Sequence, residues 1–274
     1  MLEWRTDEDL VVGDTRFTLA PAQPPKVDLS GEPNWFILRK PRRMVECYEQ
    51  LEANNAATNI LELGIDRGGS TALLALLFNP SKLVAADIRP TRVESLDDFI
   101  AAHTLQDRVR PYFGVDQSDR AHLESIVVTE FGGAALDLVI DDASHLFHQT
   151  CASFNLLFPR LRPGGLYVIE DWSWQHMRDE QLERLLSTPE AQKELASYLA
   201  AKGGAPKAAP LSVLILELVL TAGYADDVVA EITTLRRDWI AIRRGPAALD
   251  PDTFDIAAAY GSLGREVLNG ETSR

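Results

Sequence analysis

The sequence predicts an α/β protein built on a Rossmann-like, doubly wound sheet of seven strands, mostly parallel, with an antiparallel last strand. Three observations point there. Short apolar runs alternate with helix-spaced segments between Asn59 and Glu170. Two of those runs empty into paired acids, Leu138-Val139-Ile140-Asp141-Asp142-Ala143-Ser144-His145 and Gly165-Leu166-Tyr167-Val168-Ile169-Glu170-Asp171. Two further runs near the end are joined by a short polar turn. Parallel strands covered on both faces give such apolar runs, and the carboxyl edge of an open α/β sheet is where ligands bind. Four acids and a histidine are thereby expected at one crevice.

Residues 1–40 read as an N-terminal arm or lid, since the stretch to about residue 33 is Pro-rich and aperiodic. Pro41 suits a helix first turn, and Met44, Tyr48 and Leu51 follow at helical spacing. The strand and helix pairs are Asn59 to Leu63 with Ser70 to Phe78, Leu83 to Asp87 with Arg92 to Ala101, and Val109 to Gly114 with Asp119 to Thr129. Leu136 to Asp141, Leu146 to Phe158 and Gly165 to Glu170 continue the rhythm. Ala201 to Lys207 reads as a flexible crossing, and Leu211 to Leu220 as a helix too apolar for a surface, hence buried. Val228 to Thr234 and Trp239 to Arg243, around Leu235-Arg236-Arg237-Asp238, form a hairpin signature. The main domain is expected over 41–245, with a tail over 246–274.

The net charge of −14 over 274 residues and a sequence pI near 4.8 oppose nucleic acid and anionic membrane as partners. A small molecule is the expected partner. Cys47 and Cys151 cannot make a zinc cluster or a disulfide framework and fit a reducing cytoplasm. The acidic start, Met1 to Asp9, is unlike a signal peptide, and no apolar stretch approaches a bilayer-spanning length. The expected location is therefore cytoplasmic.

Leu61-Glu62-Leu63-Gly64-Ile65-Asp66-Arg67-Gly68-Gly69-Ser70 closes the first strand of the alternating series and opens a helix. Glycines there permit a tight turn and a close approach to a nucleotide-like ligand. Asp87 ends the next strand, at the offset where an acid accepts hydrogen bonds from ribose hydroxyls. A nicotinamide cofactor would use the same two features. The loop, however, is G-x-x-x-G-G, and its acids Glu62 and Asp66 would repel a pyrophosphate while tolerating a sulfonium and an amino group.

At these residues the chain resembles the class I S-adenosylmethionine-dependent methyltransferases, over about residues 40 to 245. Glu62, Gly64 and Gly68 match the first motif, Asp87 the ribose acid and the terminal hairpin the reversed last strand. The resemblance implies a cofactor set of Glu62, Gly64, Gly68, Ser70, Asp87, Asp116, Gln117 and Asp141. The two acid-tipped strands are similar to those of magnesium-dependent sugar O-methyltransferases of macrolide biosynthesis and of the cephalosporin hydroxylase-like group. That likeness implies metal ligands at Asp142, Glu170 and Asp171, with His145 as general base and Asp142 beside it in catalysis. The implied cofactors are S-adenosylmethionine and Mg2+, and the implied activity is O-methyl transfer to a hydroxyl of a small natural product, a sugar moiety foremost. The alternatives are metal-independent transfer to a phenol or carboxylate, and a non-catalytic cofactor-binding accessory protein. If the arm and the apolar run from Leu211 make subunit contacts, a homodimer is the simplest assembly.

Lesser candidates remain. Asp141 and Asp142 could instead cap the following helix. His148 could be a second proton acceptor, Trp172, Trp174 and His176 a platform for a sugar or ring, and Arg39-Lys40-Pro41-Arg42-Arg43 a grip for a substrate anion, or simply a solvated face. Tyr198 and Lys202 have the spacing of a short-chain dehydrogenase pair, but the glycine loop has the wrong place and spacing for that family.

Overall fold

A computed structural model describes residues 2–20, 34–54, 57–176, 209–235 and 238–260, with four isolated positions between 189 and 196. The Tyr198/Lys202 pair, the crossing at 201–207, turn residues 236–237 and the tail from residue 261 lie outside the described residues.

Strands β5 (Asn59–Leu63), β6 (Lys82–Asp87), β7 (Val109–Phe113), β8 (Leu136–Asp141) and β9 (Leu161–Glu170) pair in parallel. They are followed by β10 (Val229–Leu235) and β11 (Trp239–Arg244) in the order β10-β11-β9-β8-β5-β6-β7. β11 is antiparallel to both neighbours. The predicted seven-stranded sheet with its reversed last strand is thus present, and the reversed strand is inserted between β9 and β10. Chain order changes direction between β5 and β8, which opens a crevice at their carboxyl ends.

Side chains alternate across this sheet. Ile60, Leu138, Ile140, Val168 and Ala241 face one core, against α1 (Arg42–Asn54), α2 (Gly69–Phe78) and α3 (Glu94–Ala102). Leu61, Val139, Tyr167, Ile169 and Ile240 face the other, against α4 (Arg120–Phe131), α5 (Phe147–Leu157) and α6 (Ser212–Tyr224). Period-two alternation is what places Asp141 and Asp142 on opposite sides of the same strand end.

The N-terminal expectation needs correction. Residues 2–19 are not irregular: β1 (Leu2–Thr6), β2 (Asp9–Val12) and β3 (Thr15–Leu19) form an antiparallel meander, which β4 (Trp35–Leu38) extends in parallel. Gly13, at φ +63°, turns the β2–β3 hairpin. The small sheet lies on the helices of the first core through Leu10, Phe17, Phe36 and Leu38. Phe36 is stacked on Phe17 and edge-on to Phe99 of α3. The approach is close enough that a Cβ on Gly69, the first residue of α2, would lie 2.8 Å from the Ile37 carbonyl oxygen. Residues 35–38 are therefore fixed against the glycine-loop helix, and the chain that follows them is delivered to the sheet's carboxyl edge.

The helix expected to be buried throughout is buried on one side only. Leu214, Ile215 and Leu218 of α6 enter the second core, whereas Leu216 and Val219 are each 52% exposed. Among the described residues no helix is long and apolar enough to cross a membrane.

Candidate active site

The glycine loop is shaped by close backbone contacts. Gly64 has φ +98°, its N–H donates to the Ala86 carbonyl, and Asp142 N–H donates to the Leu63 carbonyl at 2.9 Å. A Cβ on Gly64 would fall 2.2 Å from the Asp142 carbonyl oxygen. Gly68, at φ +82°, precedes α2, where only a left-handed residue can turn into the helix.

Glu62 is buried behind this loop. Thr71 Oγ1 donates to its Oε2 at 2.6 Å, and its Oε1 has no hydrogen-bond partner among the described residues. Burial pushes the carboxyl up to about 7, against the pull of the Ser70 and Thr71 hydroxyls and the Lys40 ammonium. Because the folded value lies above the unfolded one, this carboxyl binds a proton more tightly in the native state. Its stabilising contribution is complete below the ordinary carboxyl range and is lost as pH rises through about 7. Glu62→Gln is therefore expected to gain stability over the parent protein between pH 5 and pH 8, by up to roughly 3 kcal/mol. Urea unfolding at several pH values checks this, and a pH-independent difference would count against it.

Asp87 is engaged on every side. Its Oδ2 accepts from the N–H groups of Ile65 and Asp66 at 2.9 and 3.0 Å, and its Oδ1 from Arg89 N–H and Nε at 2.8 and 3.1 Å. Burial works against ionisation, but the Arg89 guanidinium and these N–H groups hold the carboxyl below its ordinary range. Arg89, half exposed, also reaches the Asp66 carbonyl and so closes over the loop. No motif in the sequence marks Arg89.

Two of the expected cofactor residues need correction. Asp141 faces the second core, where its carboxylate accepts from Gln117 Nε2, Ser153 Oγ at 2.9 Å and the Tyr167 hydroxyl at 2.9 Å. Gln117 Oε1 in turn accepts from Ser144 N–H at 2.8 Å. Both side chains are buried and act as a brace for the 142–146 loop, not as ligands at its surface. Asp116 is exposed and folds back on Ser118 N–H and Oγ. Neither Asp141 nor Asp142 caps α5, whose N-cap Leu146 has no side-chain cap.

Beyond that brace the loop presents His145, in the left-handed region at φ +53°. Its Nε2 lies 3.7 Å from Asp142 Oδ1, its Nδ1 is buried without a hydrogen-bond partner among the described residues, and its carbonyl accepts from Trp174 Nε1 at 2.9 Å. Trp174 thereby pins the histidine loop and does not form an open platform. His148 is exposed against Phe147, and His176 meets Ser212 Oγ at 2.7 Å.

Single ligand atoms of Asp142, His145 and Asp171 lie within 4.8 Å of one another. The expected metal set of Asp142, Glu170 and Asp171 is not assembled. Glu170 is buried, its Oε1 accepting from the Tyr48 hydroxyl and its Oε2 from the Lys40 ammonium, which also donates to Asp142 Oδ2 at 2.8 Å. Burial and the Asp142 charge raise the Glu170 carboxyl above its ordinary range, while Lys40, overcoming burial, holds Asp142 below it. Magnesium favours a shell of oxygens, so the implied metal fits these residues only in part. The basic run is likewise dispersed: Arg42 pairs with Glu46 and Asp7, and Arg43 with Asp238.

The sheet order and the glycine loop at its switch point define a class I methyltransferase fold. Residues 61–172 match the family model described as a methyltransferase domain. It is 33% identical over 127 residues to demethylmacrocin O-methyltransferase of Streptomyces fradiae, a match spanning 44% of this chain and 29% of that protein. It is 34% identical over 124 residues to mycinamicin VI 2''-O-methyltransferase of Micromonospora griseorubida, spanning 43% and 28%. The matched segment is thus under a third of those relatives' length. The solved MycE methyltransferase of the mycinamycin pathway, in complex with Mg, SAH and mycinamycin VI, shares 22% identity and a TM-score of 0.46, covering 76% of this chain and 50% of MycE.

Proposed function

We propose that this chain is an S-adenosylmethionine-dependent O-methyltransferase acting on a hydroxyl of a small glycosylated natural product. The observation that carries the reading is the convergence of His145, Asp142 and Asp171 on the crevice beside the Gly64–Gly68 loop. The macrolide and tetracenomycin sugar methyltransferases among its relatives support the acceptor class.

The fit of the cofactor rests on three features. The buried Glu62 Oε1, without a hydrogen-bond partner among the described residues, suits an ammonium. The left-handed glycines allow close approach of a ligand to the backbone. Asp87 can turn its oxygens to ribose hydroxyls once the half-exposed Arg89 swings outward. When bound, the cofactor supplies a sulfonium-activated methyl group.

The chain's own task is to place the acceptor oxygen behind that methyl carbon and to remove its proton. His145 takes the proton as the new carbon–oxygen bond forms and the carbon–sulfur bond breaks, a contribution of roughly 10²- to 10⁴-fold. Asp142 steadies the imidazolium so formed, and the pinned loop fixes the ring's position. Among the described residues Asp142, Asp171 and His145 would hold a divalent ion, which would supply Lewis-acid polarisation of the acceptor oxygen.

Asp87→Ala is expected to weaken S-adenosylhomocysteine binding by about 10- to 100-fold, the loss of charge-assisted hydrogen bonds to the ribose. Calorimetric titration checks this, and unchanged affinity would remove Asp87 from the cofactor site. Methyl transfer to a panel of glycosylated macrolides and free glycosides, followed by mass, tests the function itself; cofactor binding with no transfer to any acceptor would favour an accessory role.

A further inference from the structure

We infer that Lys40 is the resident cation of the acid cluster, its ammonium standing between Asp142 and Glu170 where a metal ion bridging the β8 and β9 tips would have to sit. The residue is 4% exposed, donates to one oxygen of each carboxylate, and lies 5.8 Å from the centroid of the Tyr48 ring. Tyr48 donates to the remaining Glu170 oxygen, so both oxygens of that carboxylate are already engaged by the chain.

The delivery of Lys40 is built into the fold. β4 is bound to β3 along its length, the Ala20 N–H donates to the Leu38 carbonyl at 2.9 Å, and the Ile37 carbonyl rests on the start of α2. Two residues after the end of β4, Lys40 reaches the crevice, and Pro41 with α1 then turns the chain so that Tyr48 arrives at the same carboxylate. The N-terminal sheet thus positions one buried cation and one phenol at a site otherwise made by strands 100 or more residues away.

The consequence concerns magnesium. An ion bridging Asp142 and Glu170 would have to expel the ammonium and leave a buried charge unpaired, a costly arrangement. Any divalent ion is therefore confined to Asp142, His145 and Asp171, and Glu170 is not one of its ligands. Lys40 acts as a positioning residue that fixes the Asp142 carboxylate against His145. It draws on the methyltransferase reading only in treating the cluster as part of the active site.

Magnesium titrated calorimetrically into the chelator-stripped full chain tests this without cofactor or acceptor, so failure here is separable from failure of methyl transfer. Lys40→Met is expected to bind magnesium at least about tenfold more tightly than the parent, and Lys40→Met/Glu170→Gln to lose that gain. Glu170→Gln alone, which keeps Lys40 and the side-chain shape, is expected to leave the parent's magnesium binding unchanged. A tenfold loss in Glu170→Gln would make Glu170 a ligand and overturn the inference. So would a folded Lys40→Met that binds no better than the parent. If Lys40→Met does not fold, the Glu170→Gln titration alone decides between these outcomes.

Discussion

His145→Asn is expected to lower kcat by about 10²- to 10⁴-fold, the range for removing a positioned general base. Asparagine is the informative replacement. His145 sits at φ +53°, a conformation that Asn tolerates and Ala does not, so the substitution removes the imidazole without straining the loop. The backbone anchors also survive, since Trp174 Nε1 bonds to the carbonyl of residue 145 and Gln117 to the N–H of Ser144. S-adenosylhomocysteine affinity should therefore stay within about twofold of the parent, confining the loss to kcat. Single-turnover rates with saturating cofactor and acceptor measure it. A loss smaller than threefold would take His145 out of proton transfer and leave positioning alone to account for rate.

Much of the main sheet could be read from the sequence because buried parallel strands are continuous apolar runs, and a carboxylate pair at the end of such a run has few places to go but the carboxyl edge. Asn59–Leu63 and Leu136–Asp141 coincide with their expected bounds for that reason. The N-terminal sheet is hard to read from the sequence because its strands are only four or five residues long and alternate imperfectly, although Gly13-Asp14 between Leu10-Val11-Val12 and Phe17 is a hairpin signal. Lys40 was hidden differently. In sequence it is one of four cations around Pro41, and what separates it from them is a pair of carboxylates 102 and 130 residues on. Asp141 is the reverse case: its place at a strand tip beside Asp142 suggests a ligand contact, yet period two turns Asp142 toward the crevice and Asp141 into a brace of Gln117, Ser153 and Tyr167.

Gly64→Ala is expected to destabilise the chain by about 2–5 kcal/mol and to abolish cofactor binding. An L-residue at φ +98° is strained by about 1–2 kcal/mol. The larger cost comes from the neighbour. The new Cβ would lie 2.2 Å from the Asp142 carbonyl oxygen and 2.8 Å from its carbon, and these are backbone atoms that no rotamer change can move. Relief requires the tips of β5 and β8 to part, stretching the bond from Asp142 N–H to Leu63 and carrying His145 away from the glycine loop. For a chain of this size the loss corresponds to roughly a 5–15 °C fall in Tm. Gly13→Ala supplies the control, because Gly13 is also left-handed, at φ +63°, but a Cβ there meets nothing within 4 Å. It should cost only the conformational part, about 1–2 kcal/mol, with cofactor affinity intact. The difference between the two variants in urea unfolding isolates the contact between strand tips. If the two cost the same, the β5 and β8 tips are not held at the distance the site requires, and the convergence of the glycine loop with Asp142 and His145 would lose its physical basis.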